Sequence, residues 1–164
     1  MNPAIKIFVT GGTFDKEYNE LNGTLYFKNT HLYDMLEMGR CKLDLNIETL
    51  MMVDSLEMTE SQQEYLVKRC KEEQSKNIVI THGTDRMVDT AVALGKTVKD
   101  RTIILTGAMI PYKFGSSDGL FNLGSTLSLV QTLPCGVYIA MNGCYFPWDK
   151  VRKNRDLGIF ERIE

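Results

Sequence analysis

The sequence predicts an α/β fold, a doubly wound parallel sheet in three layers, formed by one domain over residues 1–164. Short apolar runs without polar alternation recur along the chain, as is typical of strands buried on both faces. Amphipathic helical patterns lie between these runs. Alternation of strand and helix favours a parallel sheet built from right-handed crossovers.

Each predicted element rests on a local pattern. Strands are predicted at residues 5–9, 45–53, 78–80, 103–105 and 137–141, where the apolar runs lie. Thr59 and Ser61 are possible N-caps of a helix at 62–71, and Val88, Ala91 and Val92 form an apolar stripe on a second helix. A third helix is predicted between Asp118 and Thr132, and Pro134 would end it.

One polar segment interrupts this alternation. Residues 14–30 contain the dipeptide Asn22-Gly23, which favours a hairpin turn. We interpret this segment as a mobile flap.

Composition and charge exclude several classes of function. The chain is 43% hydrophobic and 24% charged, with a net charge of -2, so it lacks the positive charge that a nucleic-acid partner needs. The apolar runs are far shorter than the roughly 20 residues of a membrane span, and the N-terminus lacks a signal-peptide pattern. We therefore expect a cytoplasmic protein. Four scattered cysteines and two histidines give no metal-binding pattern, so we expect reduced thiols and no metal.

Small polar residues follow four of the predicted strands. The segments are 10–13 (Thr-Gly-Gly-Thr), 81–85 (Thr-His-Gly-Thr-Asp), 106–108 (Thr-Gly-Ala) and 142–143 (Asn-Gly). Because ligands of open α/β sheets bind outside the carboxyl ends of the strands, these segments should converge on one crevice. Glycines such as Gly12 would let a substrate approach the backbone closely.

A dinucleotide site is a poor match to the glycines after the first strand. The G-x-G-x-x-G spacing is absent, no helical pattern follows at once, and no G-K-[ST] motif is present. Threonine and aspartate at the strand ends instead suggest nucleophilic catalysis by a hydroxyl group, which needs a neighbouring base.

Five segments together resemble the bacterial-type L-asparaginase family. They are, in order, 10–14 (Thr-Gly-Gly-Thr-Phe), 54–55 (Asp-Ser), 81–87 (Thr-His-Gly-Thr-Asp-Arg-Met), 106–111 (Thr-Gly-Ala-Met-Ile-Pro) and 117–123 (Ser-Asp-Gly-Leu-Phe-Asn-Leu). The resemblance covers nearly the whole chain but only the N-terminal catalytic domain of longer members, so the chain is similar to a short, single-domain form. It implies hydrolysis of L-asparagine to L-aspartate and ammonia through an acyl-enzyme, without a cofactor.

The resemblance also implies roles for individual residues. Thr13 matches the nucleophile, and Thr84, Asp85 and Lys153 match a second catalytic cluster in which Asp85 also holds the substrate's ammonium group. Ser55 matches a serine that binds the α-carboxylate.

Two of these assignments leave alternatives open. Lys153 is assigned to the family's lysine by counting residues without gaps from Met141. Lys150, Arg152 and Arg155 lie nearby and are alternatives. Either Tyr18 or Tyr26 could be the tyrosine that the family places beside the nucleophile, and the spacing favours Tyr26.

Three residues, Asp85, His82 and Cys144, have competing interpretations. Asp85 could cap a helix, either instead of or in addition to binding an ammonium group. His82 could act as a base, but a structural histidine bonded to backbone is the better interpretation. Cys144 is a weak alternative nucleophile, because no neighbouring base is evident.

The sequence departs from the family in ways that bear on substrate binding. Leu56 stands where longer members often carry a glutamine, and Arg86 stands where threonine is common. The resemblance does not extend to the C-terminal domain, which in longer members lends a carboxylate to the neighbouring protomer's site. We expect a homo-oligomer, either a dimer or a tetramer. The alternatives to an amidohydrolase are a non-catalytic domain that binds an amino acid or partner, and an amidase component of a tRNA-dependent amidotransferase.

Overall fold

A six-stranded sheet forms the centre of the protein. The computed structural model describes residues 4–164. The sheet order is β4-β1-β5-β6-β7-β8, and every neighbouring pair is parallel except β7 and β8. Its strands are β1 (Ile5–Gly11), β4 (Leu45–Val53), β5 (Asn77–Thr81), β6 (Thr102–Thr106), β7 (Gly136–Met141) and β8 (Cys144–Pro147). Two further hairpins lie outside the sheet, β2 (Lys16–Asn19) with β3 (Thr24–Phe27), and β9 (Val151–Asn154) with β10 (Ile159–Arg162).

Helices cover both faces of the sheet. They are α1 (Leu32–Met38), α2 (Glu60–Glu72), α3 (Met87–Thr97) and α4 (Gly119–Val130). One apolar core joins the sheet to α2 and α3 through residues such as Leu66 and Leu94, and a second joins the opposite face to α1 and α4 through residues such as Met35 and Leu127. The prediction of a doubly wound, three-layer α/β fold is therefore confirmed.

The crossovers differ from the prediction at one point. The chain moves in the same direction across the sheet from β4 to β5, from β5 to β6 and from β6 to β7. However, α2 and α3 lie on one face, whereas α4 lies on the other. Crossovers that move in the same direction but pass over opposite faces of a sheet have opposite hands. Since crossovers of this kind are right-handed in about 98% of cases, we take the crossovers through α2 and α3 as right-handed and β6–α4–β7 as the left-handed exception. The expectation of right-handed crossovers throughout is wrong for this unit.

Local capping signals agree with the helix boundaries in part. Thr59 caps α2 in a capping box with Gln62, which extends the predicted helix by two residues at its start and one at its end. By contrast, α3 begins after Arg86 rather than after Asp85, so Asp85 is not its N-cap.

The interrupting segment forms the predicted hairpin. β2 and β3 pair antiparallel, and Gly23 adopts a φ of 72° in the turn between them, which glycine does readily. The predicted segment is 14–30, and the name flap refers to its part between Asp15 and Thr30, residues 16–29.

The C-terminal strands β8 to β10 were not predicted. Asn142 and Gly143 have φ values of 55° and 82°, as in the two-residue turns that join hairpin strands, so β7 turns directly into the antiparallel edge strand β8. Val151 and Phe160 then join the same core as α3, which places the β9–β10 hairpin over that face of the sheet. No helix among residues 4–164 has the length and apolarity to cross a membrane.

Candidate active site

The strand order creates a switch point between β1 and β5. From β1 the chain crosses first to β4 on one side and later to β5 on the other. Crevices that bind ligands form at such points, outside the carboxyl ends of the strands. Thr13 follows β1 and Thr84 follows β5, so both threonines belong to the loops at this position.

Glycines bring these two loops into close contact. A Cβ atom placed on Gly12 would lie only 2.4 Å from the backbone nitrogen of Gly83. Gly12 also has a φ of 75°, a conformation that L-residues with side chains rarely adopt. The residue before Thr13 is therefore packed against the residue before Thr84. Thr13 begins a single 3-10 turn, Thr13–Asp15, and is partly exposed.

Lys153 connects the second threonine to an aspartate. Its Nζ atom donates to Thr84 Oγ1 and to Asp85 Oδ1, both at 2.8 Å. The lysine side chain is only 10% exposed although its strand lies at the surface. The β9–β10 hairpin brings it to this place, 68 residues along the chain from Asp85. Lys150 and Arg152 do not share this position. Lys150 is exposed, and Arg152 forms an ion pair with Glu161.

Asp85 is held by two cations. Arg155 Nη1 lies 2.5 Å from Oδ1, the same oxygen that Lys153 contacts, and Arg155 Nη2 donates to the Asp85 carbonyl at 3.0 Å. The hydrogen bond from Lys153, followed by the weaker influence of Arg155, holds the pKa of Asp85 below its usual value against the opposing effect of burial. Asp85 is therefore anionic at neutral pH.

Ser55 lies behind the β5 loop. Its side chain is buried, and its Oγ would be 2.5 Å from a Cβ placed on Gly83. The hydroxyl accepts a hydrogen bond from the Arg86 amide at 3.3 Å. Its neighbour Asp54 forms an ion pair with Lys16 at the base of the flap.

The two flap tyrosines lie on opposite faces of the hairpin. Tyr26 pairs with Glu17 across the strands, and Tyr18 pairs with Leu25. The Glu17 carboxylate opposite Tyr26 is the main cause that raises the pKa of Tyr26 above its usual value. Among the hydrogen bonds of residues 4–164, neither tyrosine is bonded to Thr13 or to the Lys153 cluster, so the structure does not bring Tyr26 together with the other predicted site residues.

His82 has a structural role. The ring is fully buried, with Nδ1 2.7 Å from the Gly83 carbonyl and Nε2 2.8 Å from Thr90 Oγ1. Burial lowers the pKa of His82 to about 4, so the imidazole is neutral and fixes the backbone between β5 and Thr84. The interpretation as a structural histidine agrees with this geometry. The four cysteines are free in the structure.

Asn122 fixes the neighbouring loops. This buried residue on α4 donates to the Gly107 carbonyl at 2.8 Å and accepts from the Asn142 amide at 2.9 Å. Asp118 accepts from the amides of Met109 and Ile110. The segment 117–123 thus holds together the ends of β6 and β7.

The sequence did not indicate the contacts of Lys16 and Arg155. Lys16 is a charged residue in a polar flap, and Arg155 is one of several basic residues near Lys153. Their charge gave no signal of a specific partner, since Lys16 and Asp54 are 38 residues apart and Arg155 and Asp85 are 70 apart. Within residues 4–164, no group of three or more His, Cys, Asp or Glu residues could hold a metal ion.

Comparisons with known proteins identify this architecture. Residues 4–159 match the family model described as "Asparaginase, N-terminal". The chain is 30% identical over 175 residues to L-asparaginase 2 of Escherichia coli, covering 98% of this chain and 50% of that relative. It is 28% identical over 151 residues to a subunit of the glutamyl-tRNA(Gln) amidotransferase of Thermofilum pendens, covering 86% of this chain and 34% of that protein.

A solved structure agrees with the match to the L-asparaginase. A probable cytoplasmic L-asparaginase from Campylobacter jejuni superimposes with a TM-score of 0.83 at 28% identity, over 98% of this chain and 53% of that one. The chain thus spans about a third to a half of the length of these relatives. Because the match covers nearly all of the present chain and its strand-end motifs, the chain belongs to the asparaginase family, in the part that corresponds to the family's N-terminal domain.

Proposed function

We propose that this protein is an amidohydrolase that converts L-asparagine to L-aspartate and ammonia, with Thr13 as the nucleophile. The observation that carries the proposal is the contact of Lys153 with both Thr84 and Asp85 beside the Gly12–Thr13 turn. A threonine hydroxyl is a weak nucleophile at neutral pH, so a site of this kind needs neighbouring groups that polarise the hydroxyl or accept its proton. Family membership supports the same reaction.

The reaction follows from these assignments. Thr13 Oγ attacks the carbon of the side-chain amide, and the carbon–nitrogen bond breaks as ammonia leaves with the proton given up by the hydroxyl. The product is an ester between Thr13 and the substrate. Water then attacks this ester, which releases aspartate and restores the threonine hydroxyl. Lys153 polarises the Thr84 hydroxyl through the hydrogen bond that it donates to Oγ1, and Asp85 keeps the lysine in place.

The remaining predicted residues bind or cover the substrate. Ser55 and the backbone around Gly12 would receive the α-carboxylate, and Asp85 would receive the α-ammonium group. Tyr26 would act as the partner of Thr13 when the flap closes, exchanging its interaction with Glu17 for one with the threonine. Tyr18 and Tyr26 project from opposite faces of the hairpin, so only one of them can face the site. The spacing in the sequence favours Tyr26.

An ammonia-release assay tests the activity. The purified protein should release ammonia from L-asparagine, and more slowly from L-glutamine, without an added cofactor. Activity that a chelator abolishes and zinc restores would contradict a mechanism based on hydroxyl groups.

Substitutions test the assignment of the nucleophile. Thr13→Ala and Thr84→Val should each lower kcat by at least about a hundredfold with the circular dichroism spectrum unchanged, because each removes a hydroxyl but little volume. Tyr26→Phe should lower kcat, whereas the matched change Tyr18→Phe should not. Cys144→Ser should be close to neutral. Loss of turnover in Cys144→Ser but not in the threonine variants would show that the nucleophile is wrongly assigned.

A further inference from the structure

Arg155 occupies the carboxylate that should receive the substrate's ammonium group. Its guanidinium contacts both the Oδ1 atom and the carbonyl of Asp85, so it grips one residue at two points. Lys153 donates to the same Oδ1. A substrate ammonium group that binds Asp85 must therefore compete with two cations already in contact with it.

The basic residues paired with Asp54 and Asp85 outnumber these two carboxylates. Asp54 lies close enough to Asp85 for the two carboxylates to interact electrostatically, but Asp54 is already paired with Lys16. Two aspartates thus face three cations, namely Lys16, Lys153 and Arg155. Arg86 adds no free charge of either sign, because it pairs with Asp89 and donates to the Met58 carbonyl. A crevice with this balance attracts anions and repels a cationic group.

We propose that Arg155 is a specificity-determining residue that disfavours a free α-ammonium group, and that the preferred substrates are ω-amides of dicarboxylic acids without that charge. The inference rests on the proposed function, because it concerns the same site and the same amide bond. The role of Arg155 restricts the preferred substrates to amides that lack an α-ammonium group. Asparagine remains a substrate with a high KM, and its analogue without the amino group is hydrolysed more efficiently.

The expected size of the effect follows from one interaction. Losing or displacing one hydrogen bond between charged groups weakens binding by about tenfold to a hundredfold. The arginine side chain is 59% exposed, so it can swing into solvent when an ammonium group enters. Arg155 therefore raises the KM for asparagine without blocking the site.

Two substrates that differ only in the ammonium group provide the test. L-asparagine and succinamate share the amide and the carboxylate, and succinamate lacks the α-amino group. The wild-type protein should hydrolyse succinamate with a kcat/KM about tenfold or more above that for asparagine. Arg155→Ala should raise kcat/KM for asparagine by about tenfold, chiefly through KM, and change that for succinamate by less than about threefold.

Arg152→Ala is the matched control, because Arg152 lies on the same hairpin but pairs with Glu161 rather than Asp85. It should leave both rates and their ratio unchanged. An unchanged ratio in Arg155→Ala, with both substrates hydrolysed, would overturn the role of Arg155 and leave the amidohydrolase function standing.

Product binding separates this inference from the proposed function. Calorimetric titration with succinate and with L-aspartate needs no turnover. The wild-type protein should bind succinate more tightly, and Arg155→Ala should shift the preference toward aspartate. If neither amide is hydrolysed but this shift is observed, the proposed function fails and the role of Arg155 is supported. If the preference does not shift, the inference fails.

Discussion

Lys153 links two parts of the site that are far apart in sequence, and its substitution should show whether this link is needed for turnover. Lys153→Met keeps the length of the side chain but removes the charge that contacts Thr84 and Asp85. Asp85 would still be held by Arg155, so the fold should be retained. We predict a loss of kcat of at least about a hundredfold in the ammonia-release assay. Lys150→Met, at an exposed position just before β9, should have wild-type kcat. Equal activity of the two variants would contradict the role given to Lys153.

The site residues that could be predicted from the sequence differ in their structural position from those that could not. Thr13 and Thr84 lie at the ends of buried strands, so a short motif and the direction of a parallel sheet suffice to place them together. Arg155 carries no such local signal. Its importance arises from a contact with Asp85, which is 70 residues away in the sequence, and no local pattern indicates such a contact.

At the scale of elements, a buried carboxyl fixes the flap at both ends. Asp15 precedes the flap, and its Oδ1 accepts from the His31 amide at 2.8 Å and from Thr30 Oγ1 at 3.2 Å, just after the flap. The side chain is 0% exposed, and within the described chain its Oδ2 atom is buried without a hydrogen-bond partner. Burial raises the pKa of Asp15 to about 6, although both hydrogen bonds act in the opposite direction. The carboxyl is therefore ionised at neutral pH at a cost in stability.

This cost predicts a pH dependence of the free energy of unfolding. The folded protein keeps the Asp15 proton up to about pH 6, whereas the unfolded chain releases it near the usual aspartate pKa of 3.8. The folded state thus binds more protons between these values, so the contribution of Asp15 to stability is greatest below pH 3.8 and falls as the pH rises through 6. The total loss is about 3 kcal/mol, from roughly two pKa units at about 1.36 kcal/mol each.

Asp15→Asn removes the titration while keeping an oxygen that can accept the same hydrogen bonds. Urea unfolding at a series of pH values should show the variant gaining about 3 kcal/mol relative to wild type between about pH 4 and pH 7. Asp34→Asn, which changes an exposed carboxylate on α1, should not alter the wild-type pH dependence to this extent. A constant difference between Asp15→Asn and wild type across the series would show that Asp15 does not titrate in this range.

At the scale of the whole molecule, the hand of one crossover determines how the site is completed. Because α4 packs on the face opposite α3, the α3 face beside β7 remains available for the β9–β10 hairpin. Val151 and Phe160 fill this space, and Trp148 packs against Gly95 of α3 so closely that a Cβ there would lie 2.2 Å from the ring. This packing brings Lys153 to Thr84.

Strands and helices could be predicted from apolar periodicity, but the periodicity of α4 is the same whether the β6–α4–β7 crossover is right-handed or left-handed. The position of the hairpin therefore could not be predicted from the sequence.

The surface of the molecule bears on assembly. Four large apolar side chains are exposed in or beside the loop that joins β6 to α4: Met109, Ile110, Phe114 and Phe121. Exposed apolar side chains that together form a patch on a protein surface mark an interaction site. We predict a homo-oligomer, a dimer or a tetramer, in which this loop packs against a second copy, since two-fold assembly is the commonest way to cover such a surface.

Sedimentation velocity at assay concentration should show a species at least twice the mass of the chain. Phe121→Lys should shift it toward the monomer, whereas Leu21→Lys, an equally drastic change at the exposed flap tip, should not. A wild-type protein that sediments only as a monomer would contradict the prediction, and a dimer insensitive to Phe121→Lys would place the interface elsewhere.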